Sequence, residues 1–476
     1  MDSRARGRRP QRPAGADVVQ PSRLVAFDVL HAVDADEAYA NLLLPHAIEK
    51  AGLSSADAAL ATELCYGTLR GRGFYDRVIE IAANRPAASL DEPVRNVLRL
   101  GIHQLLATRV APHAAVNESV ALAHRVASRS ATGFVNGVLR RVTRDSAETW
   151  RNLVAESAGD ETETLALTSS HPVWIVRAFR QALAAEGRGD ELEALLAADN
   201  AAPRVNMVAL PGVAERPADA EPDRYSPVGF VLGQGDPDAA VRGSAGALRV
   251  QDEGSQLAAL VLSRAEAVRP GERWLDLCAG PGGKTALLGA EAARNGASVV
   301  ANEVVPARAE LVRRAVAPVA DHVDVVTGDG RDVGRQHPQR FDRVLVDAPC
   351  TGLGALRRRP EARWRKQPKD VAELSSLQSE LLRSALDAVK PGGIVAYVTC
   401  SPHLGETRAI VGDAIRRSQG TVSSLDTPAV LRSIVGDIDL GTPEQDRSPE
   451  IAHVQLWPHR HGTDAMYMVL LRTAAE

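Results

Sequence analysis

The sequence predicts a multidomain chain: an all-α domain first, then a small irregular connector, then a doubly wound α/β domain. Three observations carry that reading. At 476 residues the chain exceeds what one hydrophobic core ordinarily serves. Apolar residues recur at helical spacing up to about residue 144, with no convincing strand among them. From Trp274 onward, short apolar strands alternate with helical stretches, the rhythm of a parallel sheet covered by helices.

Residues 1–21 carry Arg4, Arg6, Arg8, Arg9 and Arg12 among prolines and glycines, with no apolar run that would make a signal sequence, and read as a disordered basic tail, either a solvated extension or an arm that touches RNA. A helical domain is expected over 22–150. Ser22, following Pro21, is a candidate N-cap for a helix bearing Leu24, Phe27, Leu30 and Val33. The run opening at Asp91 places Val94, Val97, Leu98, Ile102, Leu105 and Leu106 on one face, and further helices are expected at 57–70, 115–127 and 134–143. A polar stretch at 157–164 precedes helices at 172–185 and 191–198. The Pro/Gly/Asp-rich segment 203–249 then holds extended pieces at 204–210 and 228–232, so 151–250 is read as a connecting subdomain. The last domain, 251–476, should hold strands at 274–277, 298–302, 323–326, 343–346, 394–398, 454–456 and 465–471, with Glu303, Asp329 and Asp347 at strand ends.

Composition narrows the function classes. No apolar run reaches the length of a membrane span, so no membrane partner is expected. The four cysteines, Cys65, Cys278, Cys350 and Cys400, show neither paired spacing nor a neighbouring histidine cluster, so neither a disulfide framework nor a metal site is expected. That usage fits a reducing, cytoplasmic setting and leaves the thiols free. A net charge of −4 decides nothing, but Arg357, Arg358, Arg359, Arg363, Arg365, Lys366 and Lys369 crowd one segment around Trp364, opposed by Glu361. The segment reads as a phosphate grip with a stacking aromatic, or else as a solvated helix face.

Chemistry is expected at two of the thiols. Cys350 lies in Asp347-Ala348-Pro349-Cys350-Thr351-Gly352, after the apolar Val344-Leu345-Val346, and Cys400 lies in Thr399-Cys400-Ser401-Pro402, after Ile394-Val395-Ala396-Tyr397-Val398. Ligands of open α/β sheets bind beyond such strand ends. Cys65, by contrast, reads as a small buried hydrophobe. The stretch Leu275-Asp276-Leu277-Cys278-Ala279-Gly280-Pro281-Gly282-Gly283-Lys284-Thr285 is a strand, a glycine turn and a helix start. Its end imitates a triphosphate-binding loop, but that pattern requires glycine where Cys278 stands. A dinucleotide loop is also a poor match, because the spacing is Gly-x-Gly-Gly. Glu303 can hold both ribose hydroxyls and Asp329 can accept from an adenine amino group, which suits a nucleoside cofactor without pyrophosphate, such as S-adenosylmethionine. Each acid alone reads equally well as a cap or turn residue.

These residues resemble the RNA cytosine-C5 methyltransferases of the Fmu/Sun (RsmB-type) family over nearly the whole chain. Gln251-Asp252-Glu253-Gly254-Ser255-Gln256 is similar to the family's opening motif, and the glycine loop, Gly328-Asp329-Gly330-Arg331, the Asp-Ala-Pro-Cys motif and the Thr-Cys-Ser motif follow in order. Tyr39-Ala40-Asn41-Leu42-Leu43-Leu44, Glu63-Leu64-Cys65-Tyr66-Gly67-Thr68 and Gly133-Phe134-Val135-Asn136-Gly137-Val138-Leu139-Arg140 look like the NusB-type RNA-binding domain. The resemblance implies a NusB-like helical domain and a Rossmann-like, class I methyltransferase domain. It further implies S-adenosyl-L-methionine as cofactor and small-subunit (16S) ribosomal RNA as partner, for a monomer in the cytoplasm. By position, Cys278, Ala279, Gly280, Pro281, Gly282, Gly283, Lys284, Glu303, Asp329 and Asp347 would contact the cofactor, joined by Arg308. Cys400 would be the nucleophile and Cys350 the residue that helps release product. The chain departs from the family in having Glu303 for the usual Asp, in lacking the usual pair of acids after Cys400 (Ser401-Pro402-His403-Leu404-Gly405-Glu406), and in Asp464-Ala465-Met466-Tyr467 for Asp-Gly-Phe-Phe.

The chemistry explains the residue types. Carbon 5 of cytosine is a poor nucleophile, and thiolate attack at carbon 6 divides one hard step into easier ones. An acid near N3, which Asp347 is placed to supply, meets the charge that accumulates on the ring. The target base must be exposed or flipped. Three rival readings stay open: another RNA such as tRNA as substrate, a DNA cytosine-C5 methyltransferase using Cys350, and a catalytically idle RNA-binding assembly factor.

Overall fold

The computed structural model describes residues 19–233, 235–441 and 451–475. It divides into two compact units, one of residues up to Val173 plus Arg359–Glu361, the other of Trp174–Arg358 and Ala362 onward. The basic tail read over 1–21 falls almost wholly outside the described residues.

The first unit is helical throughout, with helices at Pro21–Ala35, Ala40–Ala51, Ser55–Arg70, Arg72–Ala83, Glu92–Ala107, Pro112–Val126, Arg129–Val142, Ala147–Glu156 and Glu161–Thr168. Local chemistry sets several starts. The Ser54, Ser128, Ser146 and Asp160 side chains each accept a backbone N–H in the first turn of the helix that follows. Ser22 is not a cap. Pro21 takes the first helical position, where its missing N–H costs nothing, and Ser22 is buried one residue further in. The core is built by Phe27, Leu30, Leu64, Val97, Leu98, Ile102, Val135, Leu139 and Trp150. Cys65 is fully buried within it, and burial pushes its thiol far above the ordinary range, as befits a packing residue. The buried Arg99 guanidinium donates to Asp34 and Asp76 at 2.6–2.8 Å, which accounts for a charge in this core. Four of these helices were not expected from the sequence: Ala40–Ala51, which carries Pro45 in its interior, Arg72–Ala83, Ala147–Glu156, and Glu161–Thr168, which occupies the polar stretch.

The second unit contains two sheets. After helices Val173–Ala185 and Leu192–Asn200 come β1 (Asn206–Ala209), β2 (Glu221–Pro222), β3 (Gly229–Val231) and β4 (Leu248–Val250), an antiparallel sheet of order β2-β3-β1-β4 around Met207, Ala209 and Phe230. The second sheet comprises β5 (Arg273–Asp276), β6 (Ser298–Glu303), β7 (Val323–Thr327), β8 (Phe341–Asp347), β9 (Val389–Thr399), β10 (Val422–Ser424), β11 (Val454–Gln455) and β12 (Tyr467–Thr473). Its order is β10-β12-β9-β8-β5-β6-β7, with β11 beside β12; β5 to β9 are parallel and β12 runs against β9. The chain passes from β5 outward through β6 and β7, then returns to β5's other side as β8. That reversal opens a crevice at the carboxyl ends of β5 and β8, where ligands of such sheets bind. Val344 to Val346 and Val395 to Val398 are almost wholly buried, which is why both strands read as continuous apolar runs.

Candidate active site

The glycine loop is held from below and from both sides. Thr285 Oγ1 donates to Asp276 Oδ2 at 2.7 Å, closing the turn between β5 and helix Gly283–Arg294, and burial pushes Asp276 up to about 7. Gly282 has φ +105°, and a Cβ there would lie 2.5 Å from Ala315 Cβ, so the position admits only glycine. Glu303, 3% exposed, accepts the Gly280 N–H at 3.0 Å and the Val305 N–H at 3.0 Å, while Arg308 donates to Gly280 O at 2.7 Å. Asp329, partly exposed in the loop after β7, is paired with Arg331 at 2.6 Å, whose hydrogen bonds hold its carboxyl below the usual range.

Asn302 matches none of the motifs, yet the structure gives it a central place. Its Nδ2 donates to Leu277 O at 3.0 Å and Gly328 O at 3.1 Å, and its backbone oxygen accepts the Ala279 N–H at 2.9 Å. One buried amide thus ties together the loops after β5, β6 and β7. A polar residue inside the apolar stretch before Glu303 was the available signal.

The two thiols meet. β8 and β9 are parallel neighbours in register, Asp347 opposite Val398, so the turns that follow leave the same edge of the sheet. Cys350 Sγ lies 3.4 Å from Cys400 Sγ. Lys284 Nζ reaches across from the glycine loop to Asp347 Oδ2 at 2.8 Å. Gly354 locks the turns to each other. Its N–H donates to Cys400 O at 2.8 Å and its carbonyl accepts the Ala465 N–H at 2.8 Å, with no space for a side chain.

Glu406 braces the pair from behind. It is fully buried and accepts from Thr351 N at 2.7 Å, Thr351 Oγ1 at 2.5 Å, Ser401 Oγ at 2.6 Å and Gln378 Nε2 at 3.3 Å. Thr351 and Ser401 are the immediate neighbours of Cys350 and Cys400, so one carboxylate fixes both turns. These surroundings separate the thiols. A hydrogen bond from the Cys350 S–H draws Cys400 below the ordinary thiol range and raises Cys350; the Lys284 charge also lowers Cys400, and the Glu406 charge also raises Cys350.

Comparison with known proteins decides the family. Residues 264–472 match the model described as 16S rRNA methyltransferase RsmB/F, and residues 20–144 match the NusB family. The ribosomal RNA small subunit methyltransferase B of Pseudomonas putida is 33% identical, covering 86% of this chain and 92% of its own length. The chain belongs to the RsmB/F methyltransferase family. Rv1407 of Mycobacterium tuberculosis is 46% identical over 99% of both chains. The solved structure of PH0851, 22% identical, superimposes with a TM-score of 0.75 over 95% of this chain and 99% of that one, which shows a shared fold. The helical NusB unit and the Rossmann-like methyltransferase sheet expected from the sequence are both present.

The basic run of this RsmB/F member is largely not the exposed phosphate grip expected from the sequence. Arg357 and Arg358 donate to Asp252 and Asp464 at 2.7–3.1 Å, all four side chains lying in one mostly buried cluster. Arg363 is fully buried and donates to Asn200 Oδ1 at 2.7 Å and Asp199 O at 2.8 Å. Arg359 lies over the Tyr39 ring, 5.7 Å from its centroid. Burying so many cations requires partners, and these arginines have them within the protein. Lys369 remains exposed.

Proposed function

We propose that this protein methylates carbon 5 of a cytosine in small-subunit ribosomal RNA, with S-adenosylmethionine as methyl donor and a covalent adduct on Cys400. The observation that carries the reading is the approach of the Cys350 and Cys400 sulfurs to 3.4 Å beside the Lys284–Asp347 pair. Two thiols of opposite tendency at one crevice suit a reaction that must both form and break a carbon–sulfur bond. Support for the RNA comes from the named activity of the Pseudomonas putida relative and from the NusB-family unit.

The residues present fit the donor. The Glu303 oxygens each take one backbone N–H and keep a lone pair for a ribose hydroxyl; Gly280 to Gly283 let a ligand approach the backbone, and Asp329 stands at the next strand end. When bound, S-adenosylmethionine supplies an electrophilic methyl group. The Cys400 thiolate bonds to carbon 6, and the displaced electron pair builds up on carbon 5 and the N3 side of the ring. Asp347, expected alone to meet that charge, shares the task with Lys284, whose ammonium brings a positive charge and a proton to the same place. After methylation, a water in the crevice takes the carbon-5 proton as a base; the C–H electron pair re-forms the 5,6 double bond and the carbon–sulfur bond breaks, its electrons leaving with Cys400 as thiolate. The Cys350 S–H, already bonded to that sulfur, stabilises the departing thiolate.

Incubating the protein with 16S ribosomal RNA and labelled S-adenosylmethionine, then mapping the product, tests the reading. The expected outcome is 5-methylcytosine at a discrete position. Label on any other base atom, or none on RNA, rejects it.

A further inference from the structure

Gln251 precedes the buried Asp252 cluster and lies against the glycine loop. It is 7% exposed, and neither Nε2 nor Oε1 has a hydrogen-bond partner among the described residues. Buried amides in folded proteins are normally bonded, because an unpartnered one forfeits its hydration. The backbone that carries it is held in place. Its N–H donates to Asn206 O at 3.0 Å, its carbonyl accepts Gln256 Nε2 at 3.0 Å, and Asp252 is clamped by Arg357 and Arg358. The Nε2 lies 3.8 Å from where a side chain would begin at Gly283, the first residue of helix Gly283–Arg294.

We propose that Gln251 holds the amino-acid end of the methyl donor, Nε2 donating to its α-carboxylate and Oε1 accepting from its α-ammonium. This rests on the cofactor reading above. A carboxamide is the side chain that offers a donor and an acceptor side by side, and a zwitterion is the ligand group that uses both. The first turn of the adjacent helix favours the carboxylate at that end through its unpaired N–H groups and its dipole. Glu303 and Asp329 provide for the nucleoside on the other side of the loop, so the amide next to Gly283 is matched to the part of the donor they leave over.

The test is isothermal titration of the full-length protein with S-adenosylhomocysteine and with 5′-methylthioadenosine, which shares the nucleoside but has no amino-acid end. Gln251→Leu should weaken S-adenosylhomocysteine about tenfold or more, the scale of a hydrogen bond to a charged group, and leave 5′-methylthioadenosine within about twofold. Gln251→Glu, which sets a carboxylate against a carboxylate, should weaken S-adenosylhomocysteine further. Equal weakening of both ligands, or of neither, overturns the assignment. So does unchanged S-adenosylhomocysteine affinity with a raised KM for RNA, which would place Gln251 against the substrate. If the native protein binds neither ligand, the cofactor reading itself falls and this inference falls with it.

Discussion

The Cys350 and Cys400 turns begin from nearly the same local design and end in opposite surroundings. Each follows a buried strand of one parallel pair, each is flanked by a hydroxyl residue bonded to Glu406, and their sulfurs touch. Yet the hydrogen bond between them lowers Cys400 and raises Cys350, and the Lys284 ammonium beside Cys400 and the Glu406 charge beside Cys350 add to that split. The contact joins turns fifty residues apart and its reinforcing charges come from elsewhere in the chain, so the turn sequences alone do not distinguish the two thiols. The largest test of that contrast removes one sulfur at a time. Cys400→Ala should abolish methyl transfer, whereas Cys350→Ala should leave RNA trapped on the protein as a band that survives a denaturing gel. The reverse pattern would break the comparison and favour the DNA-type assignment, in which the Pro-Cys thiol attacks.

Lys284 should matter next. Lys284→Met removes the charge that favours the Cys400 thiolate, so the Cys400 pKa rises. The rate depends on thiolate, and its acid limb should therefore move to higher pH. A loss of about 10²–10³ in single-turnover rate near neutral pH is expected, the scale of removing one preorganised charge-stabilising group. A pH profile that keeps its position would show that Lys284 does not act through Cys400.

Geometry is the third lever. A Cβ at Gly354 would stand 2.0 Å from Ala465 O and 2.8 Å from Cys400 O, so Gly354→Ala must push the two turns apart. Displacement of roughly an ångström costs about 10² in rate when reacting groups must stay aligned. Because both turns move, kcat should fall without the adduct that Cys350→Ala accumulates; an accumulated adduct would mean that only the Cys350 side had shifted.

What the sequence disclosed, and what it concealed, follows the same division. The glycine loop was legible because its chemistry is contiguous: Gly282 needs a positive φ and a bare Cα, and both are properties of one residue in one turn. The strands around Cys350 and Cys400 were legible because a strand buried on both faces is an unbroken apolar run. The arginines at 357, 358 and 363 were misread because their partners lie far away in the chain, Asp252 and Asp464 more than a hundred residues from Arg357 and Asn200 more than a hundred and fifty from Arg363. Charge density is visible in a sequence; neutralisation by remote carboxylates is not. Glu406 carries no signal of its role in the sequence, where its segment only lacks the family's usual pair of acids, and its use becomes visible only with Thr351 and Ser401 beside it.

Glu406 also gives the finest test of the contrast between the thiols. Glu406→Gln keeps one accepting oxygen and nearly the same volume, and the Thr351 and Ser401 hydroxyls can rotate to accept from the new amide. The brace therefore survives in part, and the main loss is the negative charge beside Cys350. Removing a like charge favours ionisation, so the Cys350 pKa should fall. In a Cys400→Ala background, the pH dependence of Cys350 alkylation, followed by mass of the modified peptide, should shift downwards, while turnover in the otherwise native protein changes only a few-fold. A large loss of turnover with no shift in alkylation would mean that Glu406 serves the turns as a brace alone, and that the protonated state of Cys350 is set by its contact with Cys400 and by burial.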